Sequence, residues 1–301
     1  MKGVSICIPC YNQTQYLRQT LLSVSEQTYP LFEVIVSDDS TTDDVKNLVS
    51  DFSSSMKIKY IRNSPSLGPA ANWNQCIRLA NNDWIKILHH DDWFTSKDSV
   101  TKFMDFAIDD YGLIFSASVS KNEREKTLTE HFPGKLFLDD LSKNPEVLFC
   151  GNLIGPPSAV LFNKSKNIFF DERMKWLVDI DLYINLIHKS GGKFFYIDET
   201  LITSVSYAEH NVTNNCNNAE TELYEYFLLF EKLLRLEITN DNVVERLREL
   251  VIKYDVSRIE DLKPYLKEIS FSDNELSIVF NGLPKKSLIQ KLKKIIRKGI
   301  G

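Results

Sequence analysis

The sequence predicts an α/β fold, a mostly parallel sheet flanked by helices, with a helical region appended at the carboxyl end. Three observations predict it. Strand and helix patterns alternate with short connections from Val4 to Leu88. Polar clusters follow three of those strands: Tyr11-Asn12, Asp38-Asp39, and His89 to Asp92. From Ala219 onward the apolar residues Leu223, Phe227, Phe230 and Leu234 recur at helical spacing. Parallel sheets built from right-handed βαβ units bind ligands at the carboxyl ends of their strands. Three polar clusters arriving at one edge therefore point to a ligand site.

Taken in order, Val4 to Pro9 reads as a buried strand that Pro9 stops. Cys10 to Thr14 is a turn. Tyr16 to Gln27 is a helix with Leu17, Leu21, Leu22 and Val24 on one face, broken by Tyr29-Pro30. Phe32 to Ser37 is the second strand, and a polar helix covers roughly Asp43 to Phe52. Lys57 to Arg62 is the third strand, Asn63 to Pro69 a Pro/Gly/Ser loop, Ala70 to Leu79 a helix, and Trp84 to Leu88 the fourth strand. Beyond Trp93 the pattern is less regular. Ser99 to Ile108 reads as helix and Leu113 to Val119 as strand, with a charged hairpin or loop from Lys121 to His131. A rigid turn, Gly151 to Ser158, precedes the strand Ala159 to Phe162. Asp179 to His188 is helical and Lys193 to Ile197 is a strand.

Composition bounds the function. The 301 residues are 43% hydrophobic and 26% charged, which suits a large packed core. A net charge of −5 argues against general nucleic-acid binding. The five cysteines include Cys7 and Cys10 in a C-x-x-C, but no second pair or histidine pair stands at ligand spacing. Cys7 lies inside an apolar run and reads as a small core residue, which fits a reducing, cytoplasmic compartment. The chain opens directly into a strand, and no apolar run approaches the length of a membrane span. No G-x-G-x-x-G or P-loop occurs.

The densest chemistry lies at His89-His90-Asp91-Asp92, where the fourth strand must end. Strand alternation sends His89 and Asp91 one way and His90 and Asp92 the other. A carboxylate with an oxygen or nitrogen partner can hold a divalent cation that also binds phosphates. A polar turn, with Asp92 capping the next segment, reads equally well from these residues alone.

The ordered set of motifs resembles the inverting glycosyltransferases of family 2, with the GT-A fold. It comprises Pro9-x-Tyr11-Asn12, Gln27-Thr28, Asp38-Asp39-Ser40, Asn63 with Gly68, His89 to Asp92 in the place of a D-x-D motif, Asp179 in a W-x-x-D-x-D-L setting, and Tyr207-x-x-His210. The resemblance covers about residues 1–215. It implies a glycosyltransferase domain over 1–215, with a nucleotide-sugar half of about 1–95 and an acceptor half of about 96–215, followed by a helical region over 216–301. It implies a nucleoside-diphosphate-sugar donor, expected to be a UDP-sugar, a Mn2+ or Mg2+ cofactor, and a glycan or lipid-linked acceptor.

Carried over by position, Pro9 and Tyr11 wall the nucleobase pocket, with Asn12 in the same set. Asp39 accepts from the base N–H or touches the ribose, and Asp38 caps the next turn. Asp91 matches the metal-binding last Asp of D-x-D. His89 stands where the first Asp would, able to bond a ribose hydroxyl without formal charge. His90 is structural, and Asp92 holds the donor sugar or orients Asp91. Asp179 matches the catalytic base and ranks above Asp181, two residues on. Trp176 and the Gly155 to Ser158 turn read either as acceptor-pocket lining or as packing.

The third helix departs from the family, which often carries an Arg where Asn72-Trp73-Asn74 stands. The metal, with His210, must then carry more of the diphosphate charge; the other reading of His210 is a loop histidine in an Asn-rich stretch. Two other classes fit these residues less well. A nucleotidyltransferase would show a basic, glycine-rich loop that Pro9 to Thr14 lacks. A non-catalytic nucleotide-sugar-binding subunit would not need Asp39, Asp91 and Asp179 together.

One segment stands apart in charge. From Lys285 to Lys298 there are seven basic residues and no acid, with Leu288, Ile289, Leu292, Ile295 and Ile296 on one helical face. Such a helix suits the anionic inner leaflet of a cell membrane. The alternative is packing on the domain or on a second subunit of a homo-oligomer.

Overall fold

The computed structural model describes residues 1–122, 124–206 and 216–283. Strand β1 (Val4–Cys10) is buried along its whole length, as its near-continuous apolar run requires of a central parallel strand. It pairs in parallel with β2 (Phe32–Asp38) on one side and with β4 (Trp84–Ile87) on the other; β2 pairs in parallel with β3 (Ile58–Arg62). Between them run α1 (Thr14–Ser25), α2 (Asp44–Asp51) and α3 (Pro69–Leu79). Helix α1 buries Leu17, Leu21 and Val24, the stripe that its 3.6-residue period dictates. Burying each such side chain contributes about 1.5–3 kcal/mol. Helix α3 starts at Pro69, after Gly68 at φ 85°, a conformation open to glycine and strained for other residues.

The sheet continues past β4. Its order is β3-β2-β1-β4-β8-β6-β9-β5, with β7 paired to β6. The added strands are β5 (Trp93–Phe94), β6 (Leu113–Asn122), β7 (Thr127–His131), β8 (Val160–Asn163) and β9 (Phe194–Ser206). Among the described residues, β5, β7 and β8 run antiparallel to their neighbours and the other strands share one direction. Helices α4 (Ser99–Asp105), α5 (Lys135–Leu141) and α6 (Val178–Lys189) complete this part.

Several elements differ from the expectation. The charged stretch 121–131 is a hairpin, Ser118↔His131 to Asn122↔Thr127, whose turn is held by the Asn122 side chain accepting from the Arg124 and Glu125 N–H groups. Strand β9 runs far beyond Ile197 because it stays paired with β6 through a register shift at Ser116 to Ser118. Neither the two-residue β5 nor the short α5 was expected.

The chain separates into two compact units, residues 1–145 with 152–211, and residues 146–151 with 212–301, as far as these are described. The second unit contains α7 (Ala219–Arg235), α8 (Asp241–Lys253), α9 (Ile259–Leu266) and α10 (Asp273–Phe280). Asn218, Asn240 and Ser272 cap their helices through side-chain oxygens, and Ser272 with Glu275 forms a full capping box. Phe227, Phe230 and Phe271 pack ring to ring. Buried Glu222 is paired with Lys253 at 2.8 Å. No described helix is long and apolar enough to cross a membrane. Tyr207, His210 and the basic segment 285–298 lie outside the described residues.

Candidate active site

Strand β1 ends in a turn that the sequence builds from Tyr11 and Asn12. Asn12 takes φ 60°, a left-handed conformation that asparagine tolerates. Its N–H donates to Ser40 Oγ at 2.8 Å, and its Oδ1 accepts from Thr41 N at 3.3 Å, so the loops after β1 and β2 are tied together. Tyr11 is left 53% exposed at this edge, a flat apolar face without cover. Pro9 is buried within β1. Asp38 behaves as expected of a turn-forming residue: its carboxylate accepts from Ser40 N at 2.8 Å and from the Tyr60 hydroxyl at 2.7 Å.

Asp39 is more deeply engaged than its loop position suggested. It is 4% exposed. Oδ1 accepts from Asn63 Nδ2 at 2.7 Å; Oδ2 accepts from Ser66 Oγ at 3.1 Å, Leu67 N at 3.1 Å and Gly68 N at 2.8 Å. One carboxylate thus folds the whole 63–68 loop that starts α3. The α3 asparagines also have structural partners. Asn72 accepts from Asn63 Nδ2, and Asn74 bonds both backbone groups of Phe170.

The expected alternation beyond β4 does not hold. Pairing stops after Leu88, whose N–H still donates to Cys7 O, and residues 89–92 form a turn closed by Asp92 N donating to His89 O at 3.0 Å. A turn gathers side chains that a strand would separate. One donor atom each of His89, Asp91 and Asp92 lies within 4.8 Å of the other two. The turn is held from below by α1: Thr20 Oγ1 lies 2.9 Å from His90 O and 2.8 Å from Asp92 O. Trp73 of α3 lies over His89, ring centroids 4.7 Å apart.

Ser158 locks the turn from the other side. His89 N donates to its Oγ at 2.9 Å, and its hydroxyl bonds the Asp92 carboxyl, which also accepts from the Val205 backbone. Asp92 is therefore an anchor within the protein, and orienting its neighbours is the role this geometry supports. Lys86, fully buried in β4, donates to Ser158 O and, at 3.2 Å, to Val160 O. Its ammonium sits 4.3 Å from the Phe103 ring centroid.

The electrostatics follow from burial. Burial pushes Asp92 well up, Asp91 adds to it, and Ser158 and Lys86 pull it back. Burial likewise pushes Lys86 down, opposed by Asp92. His89 is pushed down to about 4 by burial, so its imidazole is neutral near pH 7, and its Nε2 is buried without a hydrogen-bond partner. A neutral imidazole with an orphaned nitrogen and two carboxylates within one ion's reach fits a divalent cation such as Mn2+ or Mg2+.

Asp179 lies in the first turn of α6, with Oδ1 accepting from Ile180 N at 2.8 Å. Its Oδ2 accepts from Asn152 Nδ2 at 2.7 Å. Asp181, by contrast, is 1% exposed and bonded by Asn185. Trp176 is half-buried.

Two buried groups show how the clusters adjoin. The Cys10 thiol, at the end of β1, feels both Asp38 and Asp91, and burial raises it well above its ordinary value. The Tyr183 hydroxyl, on α6, feels both Asp179 and Asp92 and donates to Gly155 O at 3.2 Å. The structure thus brings the β1 and β2 loops, the 89–92 turn and Asp179 to one side of the sheet. His210 lies outside the described residues. Thr20, Lys86, Asn152 and Ser158 were missed by the sequence reading. Only Lys86 and Thr20 left a signal, a cation in an apolar strand and a hydroxyl on a helix's buried face.

Comparison with known proteins agrees with this arrangement. The sequence profile of Glycosyl transferase family 2 matches residues 5–168. The GalNAc(5)-diNAcBac-PP-undecaprenol beta-1,3-glucosyltransferase of Campylobacter jejuni is 26% identical over 245 residues, 79% of this chain and 76% of that protein. Among solved structures, S. aureus TarS 1-349 in complex with UDP-GlcNAc superposes with a TM-score of 0.65 at 16% identity, covering 94% of this chain and 82% of that one. The mannosyltransferase PcManGT from Pyrobaculum calidifontis, in complex with GDP-Man and Mn2+, superposes with a TM-score of 0.57 at 14% identity, covering 93% and 79%. At such identities the superpositions speak for the fold. The profile match covers more than half of the sequence, and the chain belongs to glycosyl transferase family 2, a glycosyltransferase of the GT-A fold.

Proposed function

We propose that this chain moves a sugar from a nucleoside-diphosphate sugar, in the first instance a UDP-sugar, to a hydroxyl of a lipid-linked glycan in bacterial surface-polysaccharide synthesis, with inversion at the anomeric carbon. The observation that carries the reading is the adjacency of three clusters at one sheet edge: the Tyr11 and Asp38-Asp39 loops, the 89–92 turn, and Asp179, linked through Cys10 and Tyr183. The names of the relatives support the substrate class, among them the undecaprenol-linked glucosyltransferase and the UDP-GlcNAc and GDP-Man complexes.

In this reading exposed Tyr11 stacks on the nucleobase, Asn12 and Asp39 shape its pocket, and the donor diphosphate lies over the 89–92 turn. Asp91, with His89 and Asp92 beside it, holds Mn2+ or Mg2+. When bound, the cation neutralises charge that builds on the departing diphosphate. Asp179 takes the proton of the acceptor hydroxyl as that oxygen forms its bond to the anomeric carbon and the bond to the diphosphate breaks. No covalent nucleophile is required. His210, in this reading, faces the diphosphate as a further donor. Lys285 to Lys298 hold the enzyme on an anionic membrane surface.

The test is nucleotide-sugar binding and turnover across UDP-glucose, UDP-GlcNAc and GDP-mannose, with Mn2+, Mg2+ or EDTA. The expected result is cation-dependent binding of one donor that Asp91→Asn abolishes while the melting temperature is kept. Full activity in EDTA, or wild-type activity in Asp91→Asn, contradicts the reading.

A further inference from the structure

We propose that Asn152 is a positioning residue that holds the Asp179 carboxylate in the orientation and ionisation state its work requires; this rests on the reading of Asp179 as general base. The two ends of the Asn152 amide are committed to different partners. Oδ1 accepts from Ile154 N at 3.1 Å and Gly155 N at 3.0 Å, an Asx-type turn. Nδ2 donates to Asp179 Oδ2 at 2.7 Å and to Gly155 O at 3.0 Å. This fixes which end is oxygen. The flipped amide would set its oxygen against a carboxylate and its N–H groups against backbone N–H groups.

The turn that carries Asn152 is itself fixed. Gly155 has φ 101°, and the Tyr183 hydroxyl, one helical turn after Asp179, donates to its carbonyl at 3.2 Å. His131 Nε2 is 2.8 Å from Leu153 O. The amide is thus a rigid donor aimed at one carboxylate oxygen. A donated hydrogen bond favours the ionised carboxylate, the form a base needs. Tyr183, and Asp92 beyond it, share the electrostatic surroundings of Asp179. Asn152 faces the same carboxylate with a neutral donor and adds no further negative charge.

The full chain, labelled with carboxyl-13C aspartate, reads this directly by NMR titration, the Asp179 resonance being assigned by its absence in Asp179→Asn. Asn152→Asp keeps an oxygen for the two turn N–H groups but removes the donor to Asp179, so it separates the two roles. The Asp179 carboxyl should titrate about 1 pH unit higher in Asn152→Ala, and higher still in Asn152→Asp. The acid limb of turnover, followed as nucleoside-diphosphate release from UDP-glucose, UDP-GlcNAc or GDP-mannose, should move with it. A titration unmoved in both variants, while Asp179→Asn loses turnover, overturns this inference alone. Wild-type turnover in Asp179→Asn overturns the base reading and this inference together.

Discussion

Asp39 accepts from Asn63, Ser66, Leu67 and Gly68 at once, so a single carboxylate anchors the inner side of the loop before α3. Removing the carboxylate leaves two backbone N–H groups and an amide in a buried place, each costing about 1–3 kcal/mol if unmet. Asp39→Ala should therefore lower stability by about 2–4 kcal/mol and weaken nucleotide binding together, read by chemical denaturation and by titration with UDP. A variant with wild-type stability and weakened binding alone would restore the simpler view of Asp39 as a pure ligand contact. The sequence led to that simpler view because a strand-end loop residue is seldom a packing keystone. What it could not reveal is that residues 24 to 29 positions away bring their donors to this carboxylate. Asp91 and Asp179 were legible because their residue types and spacing follow a family pattern. Asn152 and Ser158 were not, since a polar residue in a Gly/Pro turn has many ordinary reasons to be there.

At the scale of elements, the first four strands and three helices were legible to within a residue or two. Their apolar periods are long, and Pro69, Gly68 and the Asp/Ser/Thr clusters mark their ends. The antiparallel half was less so. Strand β5 is two residues long, and β9 owes most of its length to a partner more than seventy residues earlier, so neither carries a period of its own. The turn at 89–92 shows the same limit. A period-2 pattern says nothing about where pairing stops, and one residue of difference there converts opposed side chains into a cluster. Lys86 is the element-level consequence of that cluster. Its buried ammonium ties β4 to the 158–160 backbone and lies near Asp92, so strand and turn are fixed by one side chain. Burying such a charge is costly unless it is bonded and paired, as it is here.

For the whole molecule, a sheet unit carries the chemistry, and a basic sequence segment is proposed to set where it acts. The segment from Lys285 to Lys298 is basic on most faces and apolar on one. Deleting residues 285–301 should weaken sedimentation with anionic liposomes, more at low salt than at high. Unchanged binding would leave the membrane without a role for this segment. Inverting transfer with Asp179 as base is tested most directly by NMR of the sugar product's anomeric centre, alongside kcat for Asp179→Asn. The product should have the configuration opposite to the donor's, and kcat should fall by roughly 10²-fold or more in a variant that still folds and binds its donor. A product retaining the donor's configuration, or a wild-type kcat in Asp179→Asn, would contradict the mechanism.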